Sequence, residues 1–198
     1  KEQELEPLAE EMLEQPIRNL TDAARAYVDP DRGVDSVEAA LAGAKDIIAE
    51  RISEDAELRA RLRSIFRDRA LISSSRKRTS SEQDAEVYRD YFDWREPAKR
   101  AAEHRIHAVL RGEREGHLTV HVEPPEDDAM IPITREYVRF SGNQRAQLEQ
   151  TCIDAYRRLL KPSLETEQKA KLKERADRTA LGVFASNLRD LLLSPPLG

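Results

Sequence analysis

The strongest constraint on this chain is its last uninterrupted stretch. Residues Leu164 to Leu193, LETEQKAKLKERADRTALGVFASNLRDLLL, contain no proline and one glycine. The spacing predicts a single helix of about 45 Å at 1.5 Å per residue. Ser163 fits the N-cap, Glu165 and Glu167 fall where negative charge meets the open N–H groups of a first turn, and Pro195-Pro196 is the expected stop. Up to Arg175 the stretch is mostly Lys, Glu and Gln around Leu172. From Ala176 onward, Ala180, Val183, Phe184, Leu188, Leu191 and Leu192 recur at helical spacing, with Leu181, Ala185 and Leu193 widening the stripe nearly all round. The expectation is therefore a wet first half and a second half clasped by other elements. Gly182 marks either a close backbone approach or a tolerated accident.

Such a helix needs a helical context, and the composition supplies one. Charged residues make up 36% of the 198 positions and aromatics only 5%, with few glycines, the usage of a helix-rich protein large enough for a real core. The fold class expected is mainly α: multihelical, with a helix-turn-helix-like pair, one long C-terminal helix and a small antiparallel β element. A net charge of −5 gives no overall basicity, so any nucleic-acid contact must be a local patch. Cys152 stands alone, which excludes an intrachain disulfide framework and suits a reducing cytoplasm. No signal-like start and no apolar run near 18 residues suggest a membrane or secreted location. Both ends look cut from a longer protein.

Three segments follow from the pattern: 1–70, 71–125 and 126–198. In the first, Leu5, Leu8, Ala9, Met12 and Leu13 share a helix face that Pro16 ends, Thr21-Asp22 opens a short helix, and Asp29 to Gly33 turns. Ser36 or Asp35 caps a helix to about Ile52. Ser53-Glu54-Asp55 restarts the chain as a helix from Ala56 to Arg69 with Leu58, Leu62, Ile65 and Phe66 inward, completing the helix-turn-helix-like pair. In the second, Leu71 to Ser75 reads as a short edge strand, Glu96-Pro97 as the start of a helix ending near Gly112, and HLTVHVE as a strand with Leu118, Val120 and Val122 inward, pairing near Ile72 or Val87. In the third, a helix restarts near Pro132, another runs from Gln144 to Lys161 until Pro162 stops it, and the long helix follows.

The densest charge lies between Arg59 and Arg78, where eight cations face Asp68 alone. Arg59, Arg63 and Arg67 fall on one helix face at i, i+4, i+8, and Arg76, Lys77 and Arg78 form a loop tip. These six are the candidate nucleic-acid-binding residues, offering guanidinium and ammonium groups to a phosphate backbone. The competing account is a solvated face paired with acidic segments. Tyr88, Tyr91, Phe92 and Trp94 follow, read as a small satellite core under the loop, with base stacking as the alternative.

Catalytic chemistry is not expected. His104, His107, His117 and His121 lack metal-ligand spacing, Glu123, Glu126, Asp127 and Asp128 read as a solvated helix start, and Cys152 sits on an apolar helix face as an inert thiol. Ser73, Ser74 and Ser75 have no glycine elbow, and no phosphate loop occurs. No metal, cofactor or catalytic residue is assigned.

ERADRTALGVFASNLRDLLLSPPLG resembles the segment that leads into an RNase H-like domain in the Tex family of bacterial transcription accessory proteins. LEPLAEEML, VEAALAGAKDIIAERISED, RDYFDWREP, LRGEREG and KPSLETE resemble further family segments in the family's order. The resemblance implies part of a helical N-terminal half containing a helix-turn-helix element, with RNase H-like, helix-hairpin-helix and OB-fold RNA-binding domains outside this chain. It also implies RNA or DNA as partner, mainly through those domains, together with the transcription machinery, and no enzymatic activity. One departure stands out: Ala101-Ala102-Glu103 precede His104-Arg105 where family members commonly have Ile-Pro-Ser, which removes the expected capping turn. The function expected is a cytoplasmic, non-enzymatic, nucleic-acid-associated scaffold with auxiliary phosphate contacts. Its rival is a pure protein-interaction and domain-positioning scaffold.

Overall fold

The computed structural model describes residues 2–81 and 83–193, so Pro195-Pro196 lies outside the described residues. The helices in chain order are α1 (Glu2–Glu14), α2 (Leu20–Arg25), α3 (Val37–Glu54), α4 (Ala56–Arg69), α5 (Glu103–Arg114), α6 (Glu126–Tyr137), α7 (Gly142–Ala155) and α8 (Lys161–Leu193). The strands are β1 (Leu71–Arg76), β2 (Asp93–Pro97) and β3 (Leu118–Glu123). The chain is mainly α with a small antiparallel sheet, as its composition and periodicity predicted. It divides into two compact units, Lys1–Ile65 with Glu126–Leu164, and Phe66–Pro125 with Glu165–Gly198.

In the first unit α3 is the hub, with α1, α2 and α7 packed on it and α6 against α7. Its buried face is Ala40, Ala44, Ile48, Ala49 and Ile52, and the three alanines let neighbouring helices approach closely. At Gly43 even a Cβ would run into Leu5. Ser36 caps α3 as expected, accepting from the Ala39 N–H at 3.1 Å. Gln144 ties α7 to the end of α1. Its amide donates to the Met12 and Gln15 carbonyls, each at 2.8 Å, and accepts from the Ile17 N–H at 2.9 Å.

Two prolines behave differently from expectation. Pro132 lies inside α6, which starts at Glu126 rather than near Pro132. The Pro124-Pro125 pair and three first-turn acids already set the start, and Thr134 Oγ1 bonds back to the Met130 carbonyl at 3.0 Å in the turn that proline disturbs. Pro162 stops nothing: a π-helical turn over Tyr156–Leu160 leads straight into α8, whose second residue is Pro162. Helix α8 accordingly begins at Lys161, and Ser163 is not its cap.

In the second unit the sheet order is β2-β1-β3, both pairs antiparallel, with Ile72 opposite Glu96 on one side and Val122 on the other. Strand β1 is therefore the central strand, not an edge. The predicted pairing of β3 near Ile72 holds, and Leu118, Val120 and Val122 are buried. Residues Asp93–Pro97 form a strand where a helix start was expected at Glu96-Pro97. Pro97 closes that strand, and α5 waits until Glu103. The Ala98 N–H bonds the Ala70 carbonyl at 2.9 Å, which carries the ladder one residue further.

One core cluster joins Ile72, Val120 and Val122 of the sheet to Ile106 and Val109 of α5 and Leu172 and Ala176 of α8. Tyr88 belongs to this core and Tyr91, Phe92 and Trp94 pack on it, so the four rings join the main core of the unit rather than a separate satellite under the loop. Gly112 lies inside α5, where a Cβ would stand 2.7 Å from Leu118 Cδ1, so the helix can sit this close to β3 only without a side chain there.

The long helix reverses the expected division. Leu164, Gln168, Leu172 and Ala176 are buried at i, i+4 spacing, whereas Leu181, Val183, Phe184, Leu188, Leu191, Leu192 and Leu193 are between 47% and 76% exposed. One buried residue per turn, three apolar and one glutamine, packs the polar-looking half, and its charged side chains reach backbone groups instead of water: Glu165 accepts from the Val122 N–H at 3.0 Å and Lys169 donates to the Val120 carbonyl at 2.5 Å, closing the outer edge of β3. Gly182 meets nothing within 4 Å, so no close approach explains it.

Candidate nucleic-acid interface

Arg76, Lys77 and Arg78 stand where β1 ends and its connecting turn begins. The turn is held by backbone bonds, from the Lys77 N–H to the His117 carbonyl at 2.8 Å and from the Ser80 N–H to the Lys77 carbonyl at 3.0 Å. Arg76 donates to the Ser80 carbonyl at 2.9 Å and lies 5.8 Å from the centroid of Phe92, within cation–π range. His117 bonds Ser80 Oγ at 2.8 Å and stacks on Tyr88. All three cations are exposed. Among the described residues, the Lys77 and Arg78 side chains make no ion pair. Strand pairing therefore fixes a tip that presents positive charge outward.

The three α4 arginines are engaged locally. Arg59 donates to the Ser53 carbonyl at 3.0 Å and Ser163 Oγ at 2.9 Å. Arg63 is half-buried and has an interaction of its own. Arg67 pairs with Asp68 at 2.9 Å, and Lys99 reaches the same carboxylate at 3.0 Å. Those two hydrogen bonds, Arg67's first, hold the Asp68 carboxyl down to about 2. Arg59 and Arg63 belong to the first unit, and Arg67, Arg76, Lys77 and Arg78 to the second. Only the last three share one turn.

The remaining candidates separate by environment. His107 lies 3.6 Å from Asp177, His117 is taken up by the basic turn, and His121 Nδ1 lies 3.3 Å from Glu165 Oε1, so these three histidines find separate partners. Glu126 pairs with Arg157 at 2.7 Å. Cys152 is fully buried and burial pushes its thiol up to about 12, which keeps it protonated and unreactive. In the α5–α8 groove Arg111, Lys169 and Lys173 pair with Glu115, Glu113 and Asp177, and Arg114 also lines it.

Sequence reasoning passed over Gln144, Arg175 and Ser74. Ser74 is buried and donates to the Tyr91 carbonyl at 2.7 Å. A polar residue at a position of apolar periodicity was the available signal. The absent capping turn at Ala101-Ala102 is visible as predicted: Ala102 is the N-cap of α5 with no side-chain cap bond.

Among the described residues no helix is long and apolar enough to cross a membrane. A family model described as Tex central region-like matches residues 15–184. The transcriptional accessory protein Tex of Neisseria gonorrhoeae is 36% identical over 98% of this chain and 26% of its own length. Protein YhgF of Escherichia coli is 35% identical over 98% of this chain and 26% of its own length. The human S1 RNA-binding domain-containing protein 1 is 27% identical over 87% of this chain and 19% of its own length. The chain spans about a quarter of the bacterial relatives.

Proposed function

This chain belongs to the Tex family, and on that premise we propose that it is a non-enzymatic scaffold region of a longer cytoplasmic transcription accessory protein, adding auxiliary contacts to an RNA or DNA backbone. The exposed charge of Lys77 and Arg78, which make no ion pair among the described residues, beside Arg76 carries the contact; Arg59, Arg63 and Arg67, engaged locally, are the further candidates for phosphate contact. Contacts of this kind position a nucleic acid without reading its bases. The names of the relatives support the setting: transcription accessory protein in bacteria, S1 RNA-binding in the human protein.

Fluorescence anisotropy with labelled single-stranded RNA and duplex DNA across a salt series tests it. Saturable binding should weaken with salt, and the log–log slope should be shallower by about 2 for single strands when Arg76, Lys77 and Arg78 are all alanine, at ~0.7 per phosphate contact. Flat traces at high protein concentration would refute the contact.

A second reading rests on a separate observation, the exposed apolar face of α8 from Leu181 to Leu193. In that reading the chain is purely a positioning scaffold. The face docks against other parts of the longer polypeptide, and nucleic-acid binding resides only there.

A further inference from the structure

We propose that His121, Glu123 and Glu165 form a binding site for a single divalent cation of the zinc class. One ligand atom from each residue lies within 4.8 Å of the other two. The 3.3 Å spacing between His121 Nδ1 and Glu165 Oε1 is the edge expected of a tetrahedron with metal–ligand bonds of about 2.0–2.1 Å.

The arrangement follows from the fold. His121 and Glu123 are i, i+2 on β3, so the strand points both to one face of the sheet. Glu165 comes from the first turns of α8, its side chain 14% exposed. The Val122 N–H at 3.0 Å fixes Glu165 Oε1, an orienting hydrogen bond of the kind that holds metal-ligating carboxylates in place. His121 and Glu123 border an open polar hollow of about 310 Å³ that Ser73, Ser75 and Thr119 also line, which leaves room for water in a fourth position. One imidazole nitrogen with two carboxylates suits a borderline cation better than Ca²⁺ or Mg²⁺, which take oxygen ligands.

Two features set its strength. Lys169 Nζ stands 3.6 Å from Glu165 Oε1, so an ammonium competes with the cation for that carboxylate, and the site is weak compared with a closed structural zinc centre. That ammonium is itself engaged by the Val120 carbonyl and Glu113. The bound cation would clip β3 to α8, at the same edge that Glu165 and Lys169 close through backbone bonds.

Zn²⁺ titrated into the chain by calorimetry, with the melting temperature followed in parallel, tests the site. One saturable equivalent is expected, with a rise in melting temperature that a chelator reverses. His121→Ala and Glu123→Gln, which leave the Val122 bond intact, should each weaken uptake at least tenfold, and a His104→Ala/His107→Ala double variant should bind as the parent does. No saturable uptake up to about millimolar Zn²⁺ would overturn the proposal. So would parent-like affinity in both the His121 and Glu123 variants, or loss of uptake in the His104/His107 variant.

Discussion

The guanidinium of Arg175 donates at 2.8 Å to the carbonyl of Ala101, and the same Nη2 reaches the Ala98 carbonyl at 3.2 Å. Its Nη1 bonds the Lys99 carbonyl, also at 3.2 Å. One side chain of α8 thus gathers the acceptors of the turn that joins β2 to α5, next to a helix N-terminus that has no side-chain cap. A planar fork with fixed donors can do this, and a lysine cannot. Arg175→Ala should destabilise the chain by about 2 kcal/mol, since hydrogen bonds from a charged donor are each worth ~1.5–3 kcal/mol and the carbonyls regain some water. Arg175→Lys should recover less than half. Urea unfolding midpoints decide it: a lysine variant as stable as the parent would remove the fork from the argument.

Gln144 makes the equivalent contact in the first unit. It is 2% exposed, and replacing it with alanine leaves the Met12 and Gln15 carbonyls and the Ile17 N–H without their partner. The expected loss is about 3 kcal/mol. Gln144→Glu keeps the size but turns carboxylate oxygens toward two carbonyls, and should be at least as damaging at pH 7. A glutamate variant as stable as the parent in the same unfolding experiment would contradict the donor assignment.

These two residues show where the sequence was legible. Helix α3 was readable to its Ser36 cap, and β3 to its inward face, because apolar periodicity and capping chemistry are local. Arg175 and Gln144 act on backbone groups 74 and 132 residues away, and nothing in their own neighbourhood announces it. The same limit explains α8. Its second half looks buried because its apolar stripe is broad, yet the elements that pack on the helix in this chain meet its first half. On the basic segment the sequence located the charge but not the difference between Arg67, paired with Asp68, and Lys77 and Arg78, which make no ion pair among the described residues.

Acid and alkali should act on the Asp55–Tyr137 pair. Burial raises the Asp55 carboxyl, but the Leu58 N–H and the Tyr137 hydroxyl at 2.8 Å outweigh it, and the net shift is downward. Burial and the bond to Asp55 raise the Tyr137 hydroxyl. The depressed acid contributes stability above its unfolded value near ~3.9 that is lost as pH falls through its folded value, and the raised phenol contributes stability that is lost as pH climbs past ~10. Tyr137→Phe should flatten the alkaline decline and reduce the acid-sensitive contribution. Thermal melts from pH 3 to pH 11 would show both, and an unchanged alkaline limb would refute the phenol's part.

Cys152 offers a probe of opening. With its thiol pushed up to about 12 by burial, the folded chain should react with a disulfide reagent at pH 8 orders of magnitude more slowly than an unfolded control whose thiol titrates near ~8.5. Labelling should accelerate with urea in step with unfolding. Rapid modification of the native chain would show that α7 opens locally.

The apolar face of α8 predicts an asymmetry between solubility and stability. Leu181, Phe184, Leu188 and Leu191 recur at spacings of three and four and are 47% to 76% exposed. Each contributes little burial within this chain. Replacing all four with glutamine should therefore change unfolding free energy by no more than ~0.5 kcal/mol per site, the range of ordinary surface substitutions. The same change removes a contiguous apolar patch of the kind that marks an interaction surface, so binding of a hydrophobic dye and concentration-dependent association should both fall sharply. A substantial loss of stability in the fourfold variant would mean that these side chains are buried in solution, and the positioning role assigned to this face would lose its support.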